Sequence, residues 1–427
     1  MKPTQTSSPA LNRRMFGEQL ALGATAWWGM QAARGADAQE KAKDLDADVA
    51  RRMNLKITKV EVFSLKTKLK RPHGASVSVP LETHRVTLLV KISTDAGIDG
   101  WGETAPIGGA RGAIVDQLGP ALIGKNPMLH RNLWRDLWGA NFGEPRALGA
   151  IDIALADLRG KVLGVPVTDL YGGRYRDKVP AYASAMNYVE GGVPEEIFPQ
   201  EALAKIEMGF RNLKMRIGRY DYKRDAKVAA LIRETVGPDI RLCTDANAAH
   251  TLHDALHLGD ALRELDFYFF EEPLPQSPDY EGYEELTAKS KIAIAAGEAL
   301  DNRHSAKRMI DRKTMNIIQP DASLCGGIGE VLFIAELAAL SGIRCIPHCW
   351  GCAVLIAATA HTVALLPDPH IGYATDTPML EFDQSENPWR DEIISKPFTV
   401  KEGFVEVPTG PGLGIEVLED VVRKYAE

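Results

Sequence analysis

Five apolar runs each end in or near an ionisable residue: Asp245 in IRLCTDAN, Glu271 in FYFFEEP, Glu298 in IAIAAGE, Asp321 in MNIIQPD and His348 in IRCIPH. They recur at intervals of 23 to 27 residues, about one strand and one helix apiece. Any one alone is most simply a cap on the following helix; five in register imply a shared site. Asp245, Glu271 and Glu298 are carboxylates on consecutive runs. Brought together they would repel one another and raise their own pKa values. A divalent cation resolves that conflict, and an oxygen-only ligand set suits magnesium. Asn247 and Glu272 adjoin these ligands, but successive strand residues face opposite ways. Glu271 is therefore the expected ligand, with Glu272 and Asn247 supporting it or touching substrate. Asp321 beside His348 would fix the imidazole's tautomer and raise its basicity, making a general base. Lys214 and Arg216, two apart on one strand face, would hold a substrate carboxylate or the charge that develops on it.

These groups meet only if the strands carrying them are parallel and close on one another. After Leu170-Tyr171-Gly172-Gly173, short apolar strands alternate with amphipathic helices. Strands are expected at 179–184, 212–217, 240–247, 267–273, 292–298, 315–321 and 343–348, with an eighth in 370–375. Helices fit at 222–236, 251–264, 303–312 and 327–341. This alternation predicts a parallel (β/α) barrel, whose active site gathers at the carboxyl ends of its strands. An open doubly wound sheet would want a glycine fingerprint after its first strand, and none is present. Ahead of the barrel, 55–66 and 85–92 alternate as half-buried strands, and Gly100-Trp101-Gly102-Glu103 closes a third. Helical periodicity follows at 111–123, 128–138 and 145–163. Three strands followed by helices predict an α+β domain. Between the first two strands, 67–84 reads as a mobile lid loop, with Arg71, His73 and Arg85 as candidate specificity contacts.

The ordered set Lys214-x-Arg216, Asp245-Ala246-Asn247, Glu271-Glu272-Pro273, Gly297-Glu298, Gln319-Pro320-Asp321 with Gly326-Gly327, and Pro347-His348 resembles the enolase superfamily, mandelate racemase subgroup. The Gly100–Glu103 turn and the Leu170–Gly173 junction are similar too, so the likeness runs from about residue 55 to the C-terminus. It implies a (β/α)7β barrel over 176–381 under an α+β capping domain over 55–175, to which 382–427 return. It implies magnesium on Asp245, Glu271 and Glu298, and abstraction of the proton next to a carboxylate to give an enediolate. His348 with Asp321 would be the base and Lys214 a contact to the substrate carboxylate. Glu381, in Pro378-Met379-Leu380-Glu381, matches the eighth-strand glutamate that hydrogen-bonds that carboxylate. One departure matters: the subgroup's usual second basic lysine is Arg216 here. Arginine stays protonated at any ordinary pH, leaving one acceptor where a two-base racemase needs two. The expected activity is therefore elimination, as in a sugar-acid dehydratase, with racemisation, epimerisation and lactone cycloisomerisation open. A binding protein that had lost turnover would be expected to lack the metal set or the dyad, and both are present.

The chain has 427 residues and a formal net charge of -7, which gives no reason to expect nucleic acid. No apolar run promises a membrane span. Arg13-Arg14 ahead of a mildly apolar stretch, then Ala36-Asp37-Ala38, resembles a twin-arginine export signal over 1–38. A linker over 39–54 and a periplasmic enzyme beginning near Gln39 follow, working on a small hydroxy-carboxylic acid as a homo-oligomer. Cys345, Cys349 and Cys352 crowd around His348 as CIPHCWGC. A thiolate metal site, a redox pair or a disulfide are the sharper readings, and burial as small apolar side chains is the expected one.

Overall fold

The antiparallel half of the molecule begins with a long hairpin. The computed structural model describes residues 53–141, 144–276, 279–368 and 377–427. The leader over 1–38, nearly all of the 39–54 linker and the strand expected at 370–375 lie outside the described residues. β1 (Ile57–Gly74), β2 (Glu82–Thr94) and β3 (Asp99–Thr104) form an antiparallel sheet in the order β3-β2-β1. The expected lid loop is thus mostly strand, and only 75–81 turn. Leu69 and His73 are buried along this extension, which is why it pairs despite its polar composition. α1 (His130–Asn141) packs on α2 (Pro145–Leu163), and α2 packs against the sheet. α2 starts at a proline in its first turn and stops at Gly164, whose left-handed φ of 73° suits glycine. The Gly-Trp-Gly turn is explained by close approach. A Cβ on Gly102 would lie 1.9 Å from the Ala150 carbonyl oxygen of α2.

The parallel half follows as β4 (Lys178–Ser184), a short β5 (Tyr188–Val189) that joins the edge of the antiparallel sheet at β1, and then regular alternation. α3 (Pro194–Glu207), β6 (Asn212–Arg216), α4 (Tyr222–Val236), β7 (Arg241–Asp245), α5 (Leu252–Glu264), β8 (Phe267–Glu271), α6 (Tyr283–Lys289) and β9 (Ala293–Ala296) come first. α7 (Arg303–Arg312), β10 (Ile317–Ile318), α8 (Ile328–Ala339), β11 (Arg344–Cys345), α9 (Ala353–Leu365) and β12 (Leu380–Asp383) complete it. Side chains accepting from first-turn amides start three of these helices, Asp221, Thr251 and Asn302. The strands form one parallel ladder in the order β11-β10-β9-β8-β7-β6-β4-β12. The strand beside β4 is thus β12, at 380–383, and the barrel runs two residues past its expected end. Among the described residues no ladder joins β11 to β12. The Cys349 N–H, donated to Glu381 Oε2 at 3.1 Å, spans that seam.

Beyond β12, β13 (Phe404–Glu406) pairs antiparallel with β4, so this part of the return joins the barrel's first strand. α10 (Glu419–Tyr425) reaches the antiparallel sheet instead, where Lys91 meets Glu419 at 2.8 Å and Glu427 N–H bonds Ser64 O. Leu55–Glu427 forms one compact unit. Inside the ladder an apolar floor of Tyr182, Cys243, Phe269, Ala295, Ile317, Ile346 and Met379 fills the core.

Candidate active site

One step along the same strands from that floor, the interior turns ionic. Alternation places Lys214 and Arg216, Asp245, Glu271 and Glu381 on the inward face. Register then aligns them: Arg216 sits opposite Asp245, and Asp245 opposite Glu271. Gly297, at φ 121°, ends β9 with a turn available to glycine and delivers Glu298 to the mouth. Asp245, Glu271 and Glu298 each offer an oxygen, all within 4.8 Å of one another. These are the three expected ligands. Glu271 Oε1 is buried and has no hydrogen-bond partner, and a buried carboxylate oxygen left so is costly. Three hard oxygen donors with an unpaired lone pair between them fit a magnesium ion.

Protein cations occupy this carboxylate nest. Lys214 Nζ, fully buried, lies 2.9 Å from Glu271 Oε2, 2.7 Å from Glu381 Oε1 and 3.4 Å from Asp245 Oδ2. Arg216 Nη1 donates to Asp245 Oδ2 and, at 3.0 Å, to Asn247 Oδ1, while Nη2 reaches Ser184 Oγ at 3.4 Å. Burial would lower the pKa of both cations, but the surrounding carboxylates outweigh it and raise them. Both stay charged. Burial, with Asp245 adding to it, pushes Glu271 up to about 8 even though Lys214 opposes the shift. Glu298 is also raised, chiefly by burial. Glu381 goes the other way: Lys214, His348 and Arg216 overcome burial and hold it near 2.

The dyad is assembled as expected. His348 Nδ1 is 2.7 Å from Asp321 Oδ2, and Asp321 Oδ1 accepts from Ser323 N–H at 2.7 Å and Ser323 Oγ–H at 2.6 Å. That leaves Nε2 facing the carboxylates, 3.2 Å from Glu298 Oε2 and 4.0 Å from Glu381 Oε2. Burial alone would lower the imidazole's pKa. Glu298, Glu381 and Asp321 together push it up to about 10.

Other expected residues sit differently. Glu272 follows the strand with φ 42°, a left-handed turn, and its buried Oε1 has no hydrogen-bond partner. Burial, and then the charges of Glu298 and Asp245, raise its pKa well above normal. Asn247, at φ 40°, turns back to brace Arg216. As placed, Glu381 braces Lys214 and accepts the Cys349 N–H; donating to a substrate carboxylate would require a proton that its neighbours hold off. His73 is buried in the hairpin with Nε2 unpartnered. Arg71 is exposed and donates to Glu190 O. Arg85 is buried against Asp383 at 2.9 Å. All five cysteines are free; Cys345 is half-buried and the rest are buried.

Sequence reasoning missed two residues. Ser184 touches Arg216 from the end of β4, and no charge marks it. Glu103, in the GWGE turn, is fully buried and accepts from Cys352 N–H at 2.7 Å, Leu355 N–H at 2.8 Å, Cys352 Sγ–H at 2.8 Å and Thr87 Oγ–H at 2.9 Å. It caps α9, the helix that follows His348, and a buried acid ending a strand was the available signal.

Known proteins share this architecture. Residues 57–172 match the family model described as mandelate racemase / muconate lactonizing enzyme, N-terminal domain, and residues 198–421 match the one described as enolase C-terminal domain-like. The chain is 34% identical over 380 residues to the D-galactarolactone cycloisomerase of Agrobacterium fabrum, covering 87% of this chain and 99% of that protein. It is 34% identical over 367 residues to the D-galactonate dehydratase of Variovorax paradoxus, covering 80% and 92%. A racemase from Streptomyces coelicolor A3(2), solved with bound magnesium, superposes with a TM-score of 0.76 at 26% identity, covering 87% and 100%.

Proposed function

We propose that this chain, which belongs to the mandelate racemase and muconate lactonizing enzyme family of the enolase superfamily, is a magnesium-dependent sugar-acid dehydratase. The observation that carries the reading is a braced imidazole, His348, whose Nε2 faces the carboxylate nest 3.2 Å from Glu298. Relatives named as a galactonate dehydratase and a galactarolactone cycloisomerase support an acid sugar as substrate.

Asp245, Glu271 and Glu298 would hold the magnesium ion, which supplies fixed positive charge against the dianion formed when an α-proton leaves a carboxylate. With magnesium offsetting the carboxylate charge that raises the imidazole's pKa, His348 would be neutral at Nε2 and accept that proton there, while Asp321 keeps the opposite nitrogen protonated and the ring oriented. Lys214 and Arg216, cations at any working pH, hold the substrate carboxylate from the β6 wall, with Glu381, Asn247 and Ser184 fixing their direction. An α-proton of a carboxylate is too weakly acidic for imidazole unaided, so stabilisation of the dianion supplies most of the acceleration. The electron pair then expels the β-hydroxyl, to which His348 returns its proton, and water and an enol leave; the enol becomes a 2-keto acid.

A second reading is favoured by the cycloisomerase relative, 99% of whose length is matched. Lactone cycloisomerisation shares the proton abstraction and differs only in the group expelled, a ring oxygen instead of hydroxide. Both are tested by incubating the magnesium-loaded protein with acid sugars and their lactones in heavy water. A 2-keto acid from a free acid supports dehydration, the same product from a lactone alone supports cycloisomerisation, and binding with neither product nor α-deuterium exchange into the substrate refutes both. The same proposal places the enzyme in the periplasm, exported by the twin-arginine signal over 1–38. Mass spectrometry of the exported chain should show a start near Gln39, and retention of Met1 refutes it. A homo-oligomer completes the reading, and sedimentation at the mass of one chain refutes that part. Among the described residues no helix is long and apolar enough to cross a membrane.

A further inference from the structure

Arg85 belongs to β2, in the antiparallel half, yet its guanidinium lies at the barrel mouth. Its Nη2 donates to Asp383 Oδ2 at 2.9 Å, at the carboxyl end of β12. Its Cζ stands 4.7 Å from the ring centroid of Trp350, two residues after His348. The same indole carries Arg216 at 5.0 Å. The two guanidinium carbons are therefore no more than about 10 Å apart, with one anchored in the carboxylate nest and the other beyond it.

The buried ion pair with Asp383 accounts for one edge of this group only. Asp383 already accepts from Ser385 N–H at 2.8 Å, Ser385 Oγ–H at 2.6 Å and Asn387 Nδ2–H at 3.2 Å. Arg85 itself is 4% exposed, and its Nη1 is buried with no partner. A buried guanidinium donor without an acceptor is costly unless something that visits the site completes it. Planar guanidinium is suited to carboxylate, and the Trp350 face fixes its plane.

We propose that Arg85, held by Asp383 and Trp350, is a specificity-determining residue that takes a second carboxylate, so that the substrate is a dicarboxylic acid sugar or its lactone rather than a monocarboxylic one. This rests on the acid-sugar reading above. The substrate carboxylate next to the reacting carbon is held by Lys214 and Arg216, and the far end of a six-carbon chain falls to Arg85. Hydroxyls between them are read by neither guanidinium.

The test compares a hexaric acid, its monolactone and the aldonic acid of the same configuration on the magnesium-loaded full chain. Wild type should turn over the diacid or its lactone with kcat/KM at least about 100-fold above the aldonic acid. Arg85→Met, which keeps the stem against Trp350, should lose about 100-fold on the diacid, mostly as raised KM, and under about threefold on the aldonic acid. Because Arg85→Met leaves Asp383 buried without its cation, the double variant R85M/D383N is measured beside it and should show the same selective loss. A wild type that prefers the aldonic acid, or variants losing equally on both, overturns the proposal and leaves the elimination reading standing. No turnover of any of the three by folded wild type overturns both.

Discussion

Two layers of the barrel interior, one alternation apart on the same strands, are chemically opposite. Cys243 lies below Asp245, Phe269 below Glu271, Ile346 below His348 and Met379 below Glu381. The lower layer is packed by apolar contact, with the buried Tyr182 hydroxyl left without a hydrogen-bond partner. The upper one holds unpaired buried oxygens on Glu271 and Glu272 and two buried cations. Strand pairing fixes both layers at once, so the chemistry is positioned by a floor that takes no part in it. The floor contributes stability; the mouth spends stability on charge held ready.

The sharpest way to break this division is at His348. His348→Asn should cost roughly 10²–10⁴-fold in turnover, with magnesium affinity by calorimetry and the melting temperature close to wild type. Full activity in that variant would remove the base assignment. Phe269→Ala attacks the other layer. Losing a fully buried ring at 6.1 Å from Tyr182 should cost about 3–5 kcal/mol of stability in denaturant melts. The KM of the folded fraction should hardly move. A large KM change with little loss of stability would show that the layers are not independent.

A third, smaller effect separates titration of the scaffold from titration of the mouth. His361, buried in α9, is placed with Nε2 3.1 Å from Leu413 O. Burial holds its pKa down at about 4, against about 6.5 in an unfolded chain. Its folded pKa is depressed, so the unfolded chain takes up protons first. Stability is complete above pH 6.5 and is lost as pH falls towards 4, by about 3 kcal/mol at most. His361→Gln retains a donor for Leu413 O but does not titrate, so its melting temperature should fall less over that window. An unchanged slope would assign the acid sensitivity elsewhere. The smallest effect is expected at the thiols. Burial pushes Cys349 and Cys352 well up in pKa, so alkylating reagents and reductants should leave native activity unaltered. Rapid inactivation would revive a redox role for the pair.

What could be read from the chain follows the same layering. Helix α2 was legible to the residue because Pro145 and Gly164 bracket it, and the five strand-end groups were legible because a parallel barrel has one mouth. The extension of β1 past residue 66 was not, since Lys68, Lys70 and Pro72 disguise a strand that pairing and the burial of Leu69 enforce. The left-handed turn at Glu272, which ends the strand before it, has no counterpart in simple alternation. Ser184 and Glu103 act through partners far away in sequence, 32 residues off for Ser184 and 249 for Glu103 with Cys352, which no local pattern reveals.

The Glu103 cap has a mechanical corollary. One carboxylate ties a strand of the antiparallel sheet to the first turn of the helix leaving the imidazole, deep in the protein and with all four bonds shielded from water. Elsewhere the hairpin tip is held to neighbouring loops by Ser76 Oγ to Asn247 O, Ser78 Oγ to Ala248 O, Val77 N–H to Gly218 O and Arg219 Nη1 to Ser76 O. The antiparallel half is therefore tied to the imidazole's own helix through one buried carboxylate, so a change at Glu103 would loosen the base from a strand 249 residues away in sequence.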